Sequence, residues 1–204
     1  MIAKALLLFC LAGALPAQEL KLVPAPRSVA RGQGALALRS PVGIALASSS
    51  AEDRFATGLL VEDWKSIHGL DVSGGSAGTV LIGRPGEPRV DRELVRRKLG
   101  VSALGHEESY LLDVDNAGVL LAAKTAAGLF YGVQTLRQLT GPGARIPAIR
   151  ISDWPALRDR MLSVDLNRGP LLTEEQLKSA IRTAAEYKLN MLSLYLEHVF
   201  VYSH

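Results

Sequence analysis

The chain has 204 residues, of which 48% are hydrophobic and 21% are charged. This balance is typical of a globular protein and excludes a disordered or collagen-like chain. The net charge is only +3, and no basic cluster alternates with aromatic residues, so no nucleic-acid partner is expected. The densest basic run, residues 96–98, precedes Gly100 at a predicted helix end, and we expect it to be a solvated helix face.

The first residues have the pattern of a secretory signal peptide. Lys4 supplies a positive charge, and residues 5–15 form an apolar run too short to span a bilayer as a helix. We expect residues 1–17 to be removed and the protein to be exported to the periplasm or the medium, with no membrane attachment after cleavage. Cys10 is the only cysteine and lies in this segment, so the mature chain would hold no disulfide, reactive thiol or cysteine-bound metal.

Short strands and helices follow over residues 20–150. Apolar runs at 35–38 and 42–46 predict two strands. A helix is predicted after Ser50, because Ala56, Leu60, Trp64 and Ile67 recur at helical spacing. This spacing places Trp64 in the core and argues against a role as a platform for sugar.

A hairpin and a long helix complete this region. Strands are predicted at 110–114 and 119–123, and a helix at 125–139 carries Gly128 and Gly132 one turn apart. Such spacing would let the helix pack closely on a sheet. Because hairpins join the strands, the sequence favours an α+β domain over 20–150, with a largely antiparallel sheet and helices on one face.

The pattern changes beyond a predicted boundary at residues 151–155. A short strand at 161–165 is followed by a helix that opens with the Thr173–Gln176 capping box, and a second strand begins at Asn190. Strand, helix and strand in this order predict a βα unit followed by a parallel partner strand. The polar side of both strands would line a barrel interior or a cleft.

Four segments resemble landmarks of glycoside hydrolase family 20, in the family's order and spacing. Residues 128–139 resemble the helix that closes its N-terminal domain, and residues 146–147 and 151–155 its link to the catalytic barrel. Residues 160–168 are similar to its first barrel strand, and residues 187–190 to the junction before its second strand. The resemblance implies that residues 156–204 are the truncated start of a TIM (β/α)8 barrel.

The resemblance also implies an activity. Family members are β-N-acetylhexosaminidases, which remove terminal N-acetylhexosamine from β-linked glycans with retention, and the acetamido group of the substrate acts as the nucleophile. A glutamic acid protonates the leaving oxygen, and an adjacent aspartate orients the acetamido group. This Asp–Glu pair lies on a later barrel strand, so the 204-residue chain is expected to lack it and to be inactive alone. No cofactor is implied, and no His, Asp and Glu set has zinc-ligand spacing.

Four residues are the candidate substrate-binding groups. Arg168 matches the family arginine that holds hydroxyl groups of the terminal sugar, for which a planar fork of donors is suited; the alternative is a surface or helix-capping arginine. Asp165 would support Arg168 or form part of the pocket floor, or else make a structural ion pair. Glu197 and His198 stand near the place of the family's aspartate pair, and either would bind substrate or tune a proton, or be an ordinary polar residue at a strand end. Arg160 is expected to anchor the domain junction.

Two other functions remain open from the sequence. One is a different barrel glycosidase with a similar N-terminal domain, such as an α-glucuronidase or an O-GlcNAc hydrolase. The other is a secreted, non-catalytic module that binds carbohydrate or serves as a scaffold. An uncovered parallel sheet argues against the second, because it would promote aggregation.

Overall fold

A computed structural model describes residues 20–75, 78–168 and 171–197. The predicted signal peptide, Cys10 and His198 lie outside these residues. The described chain folds into a seven-stranded sheet with three helices, followed by a separate two-stranded sheet with a fourth helix. No helix in these three segments is long and apolar enough to cross a membrane.

The first sheet contains strands β1 to β7. The elements are β1 Ser28–Ala37, β2 Val42–Ala47, α1 Ala51–Ser66, β3 Val72–Gly74, β4 Val80–Gly83, α2 Pro88–Arg96, β5 Tyr110–Asp115, β6 Gly118–Ala123, α3 Ala126–Leu139 and β7 Arg145–Asp153. Short 3-10 turns lie at Val101–Leu104 and Pro142–Ala144.

The sheet is mixed, so the prediction of a largely antiparallel sheet is wrong. Its strand order is β1-β7-β5-β6-β4-β2-β3. The pairs β1–β7, β7–β5 and β5–β6 are antiparallel, and the pairs β6–β4, β4–β2 and β2–β3 are parallel. Helix α1 returns the chain between β2 and β3, and this crossover lets the two strands run in the same direction. The prediction rested on the β5–β6 hairpin, which lies in the antiparallel half.

Strand β7 is absent from the sequence-based prediction, which treated its end as a domain boundary. It lies between β1 and β5 and buries Ile146, Ile149 and Ile151. Pro147 concealed the strand, because proline is rare in central strands. In the structure Pro147 faces only Ala35 of β1, since β5 pairs with β7 from residue 149 onward. Proline is therefore tolerated at this position.

Helices cover both faces of the sheet, whereas the sequence predicted one face. Helices α1 and α3 pack on the larger core, with Leu60, Trp64 and Leu129 fully buried. Helix α2 packs on the opposite face, where Val90 and Leu94 join Leu81, Leu111 and Leu120 in a second cluster. Burial on both sides explains the continuous apolar run of β6 and the apolar residues 110–112 of β5.

Two predicted packing features are confirmed. Trp64 is fully buried, and its Nε1 donates to Thr140 Oγ1 at 3.2 Å. The two glycines of α3 face the sheet so closely that a Cβ at Gly128 would overlap the Ser109 carbonyl oxygen, and one at Gly132 would overlap the Leu121 side chain.

The basic run is solvated only in part: Arg96 and Lys98 are exposed, as predicted, whereas Arg97 is not. The Arg97 side chain is only 5% exposed and pairs with Glu93, Asp113 and Asp115. Asp113 lies on β5 and also accepts from Arg150 of β7 at 2.8 Å. Asp113 is sixteen positions from Arg97, so the sequence around Arg97 does not indicate this pair. The burial of Arg97 therefore follows from the tertiary fold.

The second unit contains β8 Met161–Asp165, α4 Glu174–Glu186 and β9 Met191–Tyr195. Strands β8 and β9 are parallel, with Met161 opposite Met191 and Asp165 opposite Tyr195, which confirms the predicted pairing. The Thr173–Gln176 capping box is also present at the start of α4. Ala184 is the only buried residue in α4, and Ile181 is exposed.

Candidate functional site

A polar cluster lies at the carboxyl ends of β8 and β9. Asp165 and Tyr195 are the last residues of these strands and stand opposite each other in the parallel register. The carboxyl ends of parallel strands are where α/β enzymes place their ligand sites. The cluster therefore lies where a site is expected on topological grounds.

Asp165 shapes the turn that carries Arg168. Its Oδ1 accepts from the backbone nitrogens of Asn167 at 2.8 Å and of Arg168 at 3.2 Å, as in an Asx turn. Its Oδ2 is 3.8 Å from Arg168 Nε. One carboxylate thus supports both the backbone and the charge of the arginine. Asp165 is therefore in contact with Arg168, and its expected role in substrate binding stays a prediction.

Arg168 lies over the ring of Tyr195. Its guanidinium carbon is 5.4 Å from the ring centroid, and the side chain is 74% exposed. Stacking on an aromatic ring limits the orientations of a guanidinium group. Arg168 therefore combines a restrained orientation with access to solvent.

Glu197 enters the cluster through Tyr195. The Tyr195 hydroxyl donates to Glu197 Oε1 at 2.7 Å, and this hydrogen bond is the main cause that raises the pKa of Tyr195 above its usual value. The structure thus brings Asp165, Arg168 and Glu197 together around one ring. Tyr195 was not among the residues selected from the sequence. The sequence feature that could have identified Tyr195 is its alternation with Leu194, because this alternation puts Tyr195 on the same side of the chain as Glu197.

Arg160 anchors the domain junction, as expected. It precedes β8, and its guanidinium donates to Glu108 Oε2 at 3.0 Å and to the Tyr131 hydroxyl at 2.9 Å. A cavity of about 410 Å³ lies beside it, with Trp154 and Leu157 in its lining. This cavity is at the amino ends of β8 and β9, opposite the Arg168 cluster, and therefore belongs to the junction.

The described residues contain no cluster of side chains that could hold a metal ion. Within 20–75, 78–168 and 171–197 no three His, Cys, Asp or Glu side chains are close enough to hold an ion. The Arg168 cluster offers two carboxylates, one guanidinium and one phenol. All four groups can form hydrogen bonds with hydroxyl groups.

The described residues thus comprise an α+β domain followed by a parallel βαβ unit, with polar groups at the carboxyl ends of its two strands. The sequence profile described as glycosyl hydrolase family 20, domain 2, matches residues 19–154. The chain belongs to glycosyl hydrolase family 20.

Two curated relatives show how far this similarity extends. The beta-N-acetylhexosaminidase of Cellulomonas fimi is 39% identical over 124 residues, which are 57% of this chain and 25% of that protein. The beta-hexosaminidase of Vibrio furnissii is 31% identical over 188 residues, covering 90% of this chain and 27% of that protein. The second match is longer than the α+β domain and reaches into the βαβ unit.

Solved structures give the same result. The Streptomyces plicatus N-acetyl-beta-hexosaminidase in complex with Thio-NAglucal superposes with a TM-score of 0.69 at 29% identity, over 86% of this chain and 34% of that one. The Streptomyces coelicolor GH20 beta-N-acetylhexosaminidase gives a TM-score of 0.69 at 26% identity, over 85% and 34%. The chain spans about a quarter to a third of the length of these relatives.

Proposed function

We propose that this chain is the N-terminal part of an exported exo-β-N-acetylhexosaminidase of family 20, and that residues 156–204 begin its catalytic (β/α)8 barrel. The observation that carries the proposal is the parallel β8–β9 pair with Arg168 at its carboxyl end. Similarity to hexosaminidases that reaches into this unit supports it. Family membership favours this function over the α-glucuronidase and O-GlcNAc hydrolase alternatives, which belong to other families.

The substrate is a glycan that ends in β-linked N-acetylhexosamine, and Arg168 binds two adjacent hydroxyl groups of the terminal sugar. A guanidinium presents two parallel N–H groups at a spacing that matches two vicinal oxygens. Asp165 and Tyr195 hold this fork in place, so little orientational freedom is lost when the sugar binds. The Glu197 carboxyl group lies at the rim of the same site, where it accepts from the Tyr195 hydroxyl.

The chemical step follows the substrate-assisted retaining route of the family. The acetamido oxygen of the substrate attacks the anomeric carbon, and a glutamic acid from a later strand protonates the departing oxygen. The residues described here bind and orient the sugar and do not transfer the proton. We therefore expect the 204-residue chain alone to release no product from a chromogenic N-acetyl-β-glucosaminide.

Export is part of the proposal and rests on the signal-peptide pattern of residues 1–17. Glycans with terminal N-acetylhexosamine would then be met in the periplasm or the medium. Expression of the complete gene with a C-terminal epitope tag tests export. The tagged protein should be found outside the inner membrane, and its N-terminal residue should be the one that follows Ala17. A tagged protein that stays in the cytoplasm with Met1 retained would contradict it.

Arg168→Ala in the protein expressed from the complete gene tests the site. Hydrogen bonds to a charged group contribute about 1.5–3 kcal/mol each, so the loss of both should lower kcat/KM by at least about 150-fold. Arg168→Lys should recover only part of this loss, because an ammonium cannot bind two oxygens in the same plane. Arg158→Ala is the matched control, since Arg158 is an exposed arginine just before β8. An Arg168→Ala enzyme as active as the control would refute the assignment of Arg168.

A further inference from the structure

A buried lysine connects the βαβ unit to the α+β domain. Lys188 lies just after α4 with a φ of 60°, in the left-handed region that lysine rarely adopts. Its side chain is only 7% exposed. The ammonium lies 3.2 Å from Asp153 Oδ2 and donates to the Tyr110 hydroxyl at 3.0 Å. The chain therefore accepts an unfavourable backbone conformation at the residue that sends this ammonium into the domain.

Arg160 makes the corresponding connection for β8. In addition to Glu108 and Tyr131, its Nε donates to the Lys188 carbonyl oxygen at 2.8 Å. Its backbone nitrogen donates to Asn190 Oδ1 at 2.9 Å, next to the start of β9. The starts of β8 and β9 are thus bonded to each other as well as to the domain.

These groups form one connected set, which we call the junction network. Tyr110 donates to Asp153 Oδ2 at 2.9 Å and shares a 2.7 Å hydrogen bond with Thr135 of α3. The network thus links the start of β5, the end of β7, helix α3 and the starts of β8 and β9. Its members are Glu108, Tyr110, Tyr131, Asp153, Arg160 and Lys188.

We infer that the α+β domain positions β8 and β9 through the junction network, and that Arg160 and Lys188 are its positioning residues. Each strand has five residues and spans only about 13 Å, so a shift at its amino end moves its carboxyl end as well. The Arg168 cluster lies at that carboxyl end. Many apolar side chains of the unit, including Met161, Ile181 and Met191, are exposed in the structure, so its apolar contacts do not define its position by themselves.

A role in positioning explains why the junction is ionic. Buried ion pairs add little net stability compared with apolar contacts, because both charges lose their hydration. Desolvation lowers the pKa of Lys188, while Asp153 opposes that effect. Directional bonds to fixed acceptors, unlike apolar contacts, select one register and one orientation.

Amide hydrogen exchange of the 204-residue chain tests this inference without any assay of hydrolysis, so its result is separate from that of the proposed function. In Lys188→Met the amides of β8 and β9 should exchange at least tenfold faster than in the wild type, while those of β6 change less than twofold. Arg160→Lys keeps the charge but loses the planar fork, and we expect the same pattern. The matched controls are Lys178→Met, at an exposed ion pair of α4, and Arg158→Lys.

The variant Lys188→Met leaves Asp153 buried without its cation and could destabilise the whole domain. The double variant Lys188→Met/Asp153→Asn removes both charges. It should return β6 to wild-type exchange and leave β8 and β9 fast. Four results would overturn the inference: unprotected β8 and β9 amides in the wild type, unchanged exchange in the single variants, equal acceleration of β6 in the double variant, or recovery of β8 and β9 in the double variant.

Discussion

Gly128 marks the closest approach of α3 to the sheet, and replacing it by alanine tests the packing of the domain. A Cβ at this position would overlap the Ser109 carbonyl oxygen. That oxygen also accepts a 3.4 Å hydrogen bond from Lys124 N at the end of the β5–β6 hairpin. The obstacle is backbone, so it cannot move aside by a change of rotamer.

Two effects oppose each other in Gly128→Ala. Alanine has a higher helix propensity than glycine by about 1 kcal/mol. Overpacking a tight contact costs about 1–3 kcal/mol, and a backbone obstacle calls for the upper end of this range. We therefore expect the free energy of unfolding to fall by about 2 kcal/mol, which corresponds to a Tm lower by about 8 °C for a domain of this size.

Urea unfolding followed by circular dichroism measures this change, with Gly58→Ala as the matched control. Gly58 lies in α1, is exposed, and a Cβ there would meet no atom within 4 Å. Only the propensity term applies to it, so this variant should gain about 0.5–1 kcal/mol. If Gly128→Ala were as stable as Gly58→Ala, the proposed close packing of α3 on the sheet would be wrong.

Two further variants test buried polar groups. Asp53 is fully buried and accepts from Arg84 at 2.7 Å and from Ser48 at 2.6 Å, so Asp53→Ala should lower the free energy of unfolding by about 2 kcal/mol; an unchanged urea midpoint would contradict this. Burial raises the pKa of Tyr110, so the unfolded chain loses its phenolic proton first and stability should decrease as the pH rises above 10. The lowered pKa of Lys188 has the opposite effect, because it makes stability increase with pH below 10.5. The wild type and Tyr110→Phe are therefore compared above pH 10.5, where the stability of the variant should decrease less steeply with pH. Identical slopes would refute the role of Tyr110.

Local patterns in the sequence predict much of the fold. Helical spacing identified α1 and placed Trp64 in the core, and the turn residues identified the β5–β6 hairpin. The capping box at Thr173 marked the start of α4. In each case the signal lies within about a dozen residues, because the periodicity of a helix or strand and the chemistry of its ends are local properties.

The features that the sequence did not predict depend on distant partners. Strand β7 was missed because Pro147 resembles a break, although only one of its neighbours pairs there. Helices on both faces follow from the order of strands in the sheet, which local periodicity does not determine. Arg97 becomes buried only when β5 brings Asp113 beside it.

The candidate site shows the same division. Arg168 and Asp165 were selected because residues 160–168 resemble a family motif, and the parallel register then places Asp165 opposite Tyr195. Tyr195 was not selected, although its alternation with Leu194 placed it on the polar face, because the pattern does not show that its ring contacts Arg168. The pairing of Lys188 with Asp153 joins residues 35 positions apart and has no local signal.

The anomeric configuration of the first product tests the central claim most directly. Proton NMR of the protein expressed from the complete gene, acting on a β-linked N-acetylglucosaminide, records which anomer of N-acetylglucosamine appears before mutarotation. Substrate-assisted hydrolysis with retention predicts the β-anomer first. Initial release of the α-anomer, or no release at all, would contradict the account.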